Sequence, residues 1–289
     1  MSRIKKLFGG MELTWKKLLI SAVIVAVFTA LTGIIPQLKY TSFSTILATL
    51  EVWILFGIII IMNSKSNKDS ALKCFVFFLV SQPLIYLLQV PFSWQGWKLF
   101  QYYKFWFIMT VLCLPMGYIG YYIKKNKWYG YLILLPMIAL TLYSYHTYLT
   151  YFTFDRPYYL LISVFCILTS ILYPIVLFDD KRIKRIGFII SMVLVIGITV
   201  WVFTKPYVYS FQILPEVDGK NVTEEYRVEL EDGKYGEASV VYLDGIESCM
   251  IRCDIKKRGK TVLTVTTPEG RKVSYKLTVY HDTYQLDEQ

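Results

Sequence analysis

Seven apolar runs of roughly twenty residues alternate with short polar stretches over the first two hundred positions, at about 18–36, 43–62, 74–92, 105–123, 128–149, 157–178 and 186–203. A helix that crosses about 30 Å of hydrocarbon needs roughly that length, so the pattern predicts seven transmembrane helices. Trp15, Trp94, Trp97, Trp106, Trp128 and Trp201 fall near the expected ends, where amphipathic rings settle among lipid headgroups. From Tyr207 the period changes to two. Cys249, Ile251, Cys253 and Ile255 alternate with polar or outward residues, and Val273, Tyr275, Leu277 and Val279 repeat the pattern. With Thr-rich 261–267 and further runs at 207–214, 222–230 and 237–243, separated by turn signals such as Val217-Asp218-Gly219, six short strands are expected. The predicted architecture is a helical membrane domain over 1–206, a small all-β sandwich over 207–282 and a polar tail at 283–289.

Charge adds sidedness. Residues 1–206 carry 20 Lys+Arg against 6 Asp+Glu, whereas 207–289 carry 11 against 15. The positive charge sits in short clusters between apolar runs, a membrane pattern rather than a nucleic-acid-binding one. Counted by alternate loops, 15 Lys/Arg lie on the side of the N-terminus and 5 on the other. Cytoplasmic loops retain the positive charge, so the N-terminus is expected inside and the C-terminal domain outside a bacterial cytoplasmic membrane. The first apolar run closes on Ile34-Ile35-Pro36-Gln37 without small residues for cleavage, so it reads as a retained helix. With 55% hydrophobic and only 18% charged residues, an ordinary soluble domain is excluded.

The run Gly259-Lys260-Thr261-Val262-Leu263-Thr264-Val265-Thr266, followed by Glu269-Gly270 and Tyr275-Lys276-Leu277-Thr278-Val279, resembles the closing hairpin of bacterial Ig-like domains. The resemblance implies a sandwich used as a spacer, an adhesin or a partner-binding unit, with an envelope protein or glycan as partner. Only Thr204-Lys205-Pro206 separates the last apolar run from the first expected strand, and proline stiffens so short a joint. A rigid mount against the outer loops is therefore expected. The seven-helix part resembles no family; its Pro36-Gln37 pair lacks the second Pro-Gln and the cytoplasmic placement of the PQ-loop transporters.

Candidate chemistry is sparse. Glu51 is the only acidic residue well inside an apolar run, and Gln82, beside Pro83, is a candidate partner near mid-membrane. Ionisable groups at such depth face an interior or a watery path. An interhelical hydrogen bond is the plainer reading and a solute pathway the sharper one. His146, Asp155 and Arg156 form a second candidate group on the outer face, but no nucleophile motif accompanies them. Trp94 and Trp97 stand in FSWQGWKLFQYYK, an amphipathic stretch suited to anchoring at the interface or to holding a glycan or lipid headgroup. Cys249 and Cys253 lie too far apart on one strand face to join and are expected as core fillers. No metal cluster, cofactor motif, phosphate loop or nucleophile elbow is present. The leading expectation is a non-enzymatic membrane protein displaying its β-domain to an envelope partner. A small-solute or ion transporter using Glu51 and Gln82, and a membrane-bound transferase or lipid-modifying enzyme, are the alternatives.

Overall fold

The computed structural model describes residues 3–38, 41–154, 159–204, 209–214, 216–243, 248–280 and 283–288, with backbone alone at 3–4 and 151–154. The chain divides into two compact units, 1–152 with 156–202, which is helical, and 203–289 with 153–155, which holds the strands.

The helical unit comprises a short α1 (Arg3–Leu7), then α2 (Trp15–Ile34), α3 (Glu51–Met62), α4 (Asn67–Gln89), α5 (Phe100–Gly120), α6 (Trp128–Phe154), α7 (Leu160–Leu177) and α8 (Lys181–Thr204). Among the described residues, six helical stretches are long and apolar enough to cross a membrane, including Asn67–Phe92 and Gly96–Lys125, which take in flanking 3-10 turns. They match six of the seven expected runs. The second run differs: a 3-10 turn, Ser44–Leu47, leads into α3, which has only 12 residues. Thr41, Ser44, Thr45 and Thr49 each donate a hydroxyl hydrogen bond back to a carbonyl three or four residues earlier. Such bonds compete with regular helix, and they explain why an apolar run breaks here.

Side chains are sorted as hydrocarbon surroundings require. On α2, Leu18, Ala22, Ala26, Thr29 and Ala30 are buried, while Ile20, Ile24 and Phe28 lie exposed on the opposite side. Small residues inside and large apolar ones outside is the packing of helices in lipid, where close backbone approach drives association. Gly117 of α5 shows how tight that approach is. A β-carbon there would lie 3.0 Å from Ala71 Cα of α4, and the Ser70 hydroxyl donates to the Gly117 carbonyl at 2.8 Å.

One end of this unit is knitted by side chains that bond to the backbone. Asn63 donates to Leu7 O (2.7 Å) and accepts from Met11 N (2.8 Å). Lys124 Nζ donates to Ser64 O (2.7 Å), and Tyr121 OH to Lys65 O (2.8 Å). Asn126 Oδ1 accepts from Asp179 N (2.8 Å), and Asp179 pairs with Lys5 (2.7 Å). The N-terminal segment and the loops near residues 64, 125 and 179 therefore share one end. At the far end Gly33 of α2 packs against the side chains of Leu47 and Gln89. The 3-10 turn of the broken stretch 44–62 thus lies against α2 near Gly33, and the far end of α3 lies beside the N-terminal segment.

Among its described residues the β unit has nine strands: β1 (Tyr209–Ile213), β2 (Glu216–Val217), β3 (Lys220–Asn221), β4 (Arg227–Leu230), β5 (Gly236–Leu243), β6 (Ser248–Ile255), β7 (Gly259–Thr266), β8 (Lys272–Val279) and β9 (Tyr284–Glu288). They form antiparallel sheets in the orders β1-β6-β5 and β4-β7-β8-β9, with β2-β3 as a separate ribbon. Phe211, Ile213, Ile251, Cys253 and Ile255 of the first sheet share one core with Leu263, Val265, Tyr275 and Leu277 of the second. Both expected cysteines are buried there, and burial pushes the Cys253 thiol up to about 12. The six expected strands are present, at shifted ends. Residues 284–288, expected as a polar tail, instead pair with β8, and Tyr284 stacks on Phe211 with ring centroids 4.2 Å apart.

Asp254 ties β1 to β6, accepting from Ser210 Oγ (2.5 Å) and Arg252 Nε (3.0 Å). The bond from Ser210, with Arg252 beside it, holds this carboxyl below its ordinary 3.8. A depressed carboxyl gives its full contribution above the ordinary value and loses it as pH falls through the lower folded one. Going from about pH 5 to about pH 3 should therefore lower the protection factors of amides in 209–213, exchange being taken relative to the intrinsic rate at each pH, and Asp254→Asn should remove that pH dependence.

Candidate functional site

Glu51 is where the sequence places chemistry, and the structure buries it to 1% exposure. It opens the first turn of α3, where the helix dipole favours a carboxylate. Trp53 Nε1 donates to Ile46 O at 2.8 Å and so fastens the 3-10 turn against the helix that follows. Three hydroxyls meet the carboxylate. Thr49 Oγ1 (2.5 Å) and Tyr148 OH (3.2 Å) donate to Oε1, and Ser144 Oγ (3.0 Å) donates to Oε2. Tyr148 is buried and stacks on Tyr159 at 5.6 Å. Ser144 and Tyr148 are four apart on one face of α6, so the carboxylate joins that helix to the broken segment.

Gln82 is also buried on α4, but it does not hydrogen-bond to Glu51, and its Nε2 has no partner. The two expected partners are thus not brought together. Three hydroxyls, two of them from α6, take the place assigned to Gln82. Their i, i+4 spacing was the available signal in the sequence.

His146 is half-buried on α6, where its carbonyl accepts from Thr150 Oγ1 at 2.8 Å. Asp155 and Arg156 lie outside the described residues. Trp94 is 93% exposed and Trp97 69% exposed, the latter stacked on Phe100 at 5.8 Å. Trp94 stands in the turn between the 3-10 stretches Val90–Phe92 and Gly96–Leu99, and Trp97 within the second of them. Rings so exposed beside apolar helices suit the headgroup zone. Among the described residues no group of three His, Cys, Asp or Glu gathers as metal ligands would.

Among the described residues, the helical unit holds at least two cavities. One, of about 300 Å³, is lined by Trp53, Gly57, Trp106, Cys113 and other residues of α3–α6. A second, of about 470 Å³, is lined by Leu47, Ala48, Tyr86, Gln89, Gln101, Tyr102, Phe105 and Trp106. Glu51 lines neither. No family model, curated protein or solved structure matches this chain.

Proposed function

We propose that this protein is a seven-crossing, non-enzymatic component of a bacterial cytoplasmic membrane. Its N-terminus lies inside, and it holds an Ig-like β-sandwich outside for binding or assembly with an envelope partner. The path of 44–62 carries the reading. Although broken, this stretch runs between the two ends of the helical unit, and with the six longer helices it makes an odd number of crossings. The Lys-bearing loops near 64, 125 and 179 share the end of the N-terminal segment, which supports an inside placement for that end. The tail then emerges on the opposite face.

A transporter is the competing reading, because broken helices often build solute sites. Glu51 weighs against it, since three hydroxyls already occupy the carboxylate and it lines neither cavity. Protease added to intact protoplasts should remove 207–289 and spare the 179–185 loop. The reverse digestion pattern would invert the sidedness. Deleting 207–289 should abolish the cellular role, and Glu51→Gln should leave it intact; the opposite pair of outcomes would favour transport.

A further inference from the structure

We propose that the cavity between α3, α4, α5 and α6 is a binding slot for one acyl chain of a membrane glycerolipid. Along α3 its lining residues are Leu50, Trp53, Ile54, Gly57, Ile58 and Ile61, a single helix face about 16 Å long at 1.5 Å per residue. A cavity of about 300 Å³ along such a face has room for an extended run of methylenes. Its walls supply nothing for water. The Thr110 hydroxyl is spent on Trp106 O at 2.8 Å, and the Cys74 thiol leans on Gly57 O at 3.9 Å. Apolar cavities of this kind stay dry, and a void left unfilled forfeits the contacts of its lining. Hydrocarbon from the surrounding bilayer satisfies both constraints.

The second cavity says which part of the lipid follows the chain. Trp106 lines both spaces, so the two are neighbours across that residue. Tyr86, Gln89, Gln101 and Tyr102 give the second space hydrogen-bonding groups without a charge. Such a lining suits the ester carbonyls and glycerol oxygens of a lipid; a phosphate held directly would call for Lys or Arg. The chain therefore lies in the slot, the ester region lies beside the glutamines, and the headgroup remains in the interface.

Gly57 allows a clean test, because a β-carbon there would meet nothing within 4 Å. Leucine at this site would grow into the slot and leave the packed helices untouched. The full chain would be reconstituted in phosphatidylglycerol vesicles doped with phosphatidylglycerol carrying a mid-chain diazirine, then irradiated and mapped by peptide mass spectrometry. Labelling of 50–61 and 106–117 should exceed that of the outward face of α2 by about tenfold. Gly57→Leu, or Cys113→Phe from the opposite wall, should cut slot labelling at least about fivefold and leave α2 labelling unchanged. A paired Gln89→Leu, Gln101→Leu variant should weaken labelling by the phospholipid but not by a diazirine fatty acid. Slot labelling no higher than that of α2, or insensitive to both filling variants, would overturn the proposal. Equal loss of both probes in the glutamine variant would overturn the placement of the ester region.

Discussion

Gly236→Val is expected to remove at least about 3 kcal/mol from the β unit, enough to unfold it or nearly so. Gly236 has φ 149°, and a β-carbon there would overlap the carbonyl oxygen of Asp254 and crowd Ile255 Cα. Both obstacles are backbone of β6, the strand that pairs with β5 at this position, so neither can swing aside as a side chain would. Hydrogen exchange on the full chain should show β1, β5 and β6 losing protection while α2–α8 keep theirs. Gly233 is the matched control. It lies in the preceding turn with open space around its β-carbon position, and Gly233→Ala should be neutral or slightly stabilising.

Glu51→Ala should destabilise the helical unit by about 2 kcal/mol, read as a lower unfolding temperature in mild detergent. The cost falls unevenly on the three donors. Thr49 Oγ1 already shares its hydrogen with Thr45 O, and a serine on a helix can turn to the carbonyl four residues back. Tyr148 is the exception, since its buried hydroxyl would lose the carboxylate it reaches from α6. Glu51→Gln retains an acceptor oxygen and should cost about half as much, while Glu51→Ala with Tyr148→Phe should recover part of the loss by removing the stranded donor. An unchanged unfolding temperature for Glu51→Ala would mean that the carboxylate does not lock α6 to α3.

The spans were legible because length and apolar content alone define a helix for a bilayer. The rotation of each helix was not. In a helix that is apolar all round, sequence does not say which face turns inward, so Glu51 could be recognised as buried while Ser144 and Tyr148 went unpaired with it. The break before α3 had a signal in the hydroxyls of Thr41, Ser44, Thr45 and Thr49, hidden by the apolar residues among them. In the β unit alternation marked β6 and β8 plainly, since one face of each is core. Strand β9 has only Leu286 packed against that core, and a strand held by pairing and one ring stack leaves little trace in hydropathy.

The burial of the thiols has a practical consequence. Cys74, Cys166, Cys249 and Cys253 are buried and Cys113 is half-buried in the slot wall. Thiolate is the reactive species, and inert cysteines are those shielded from solvent. The wild-type chain should thus be nearly silent to membrane-impermeant maleimides. A single cysteine introduced at Lys68 or at Glu225 can then report which face of the membrane each residue occupies, with no need to strip the native five.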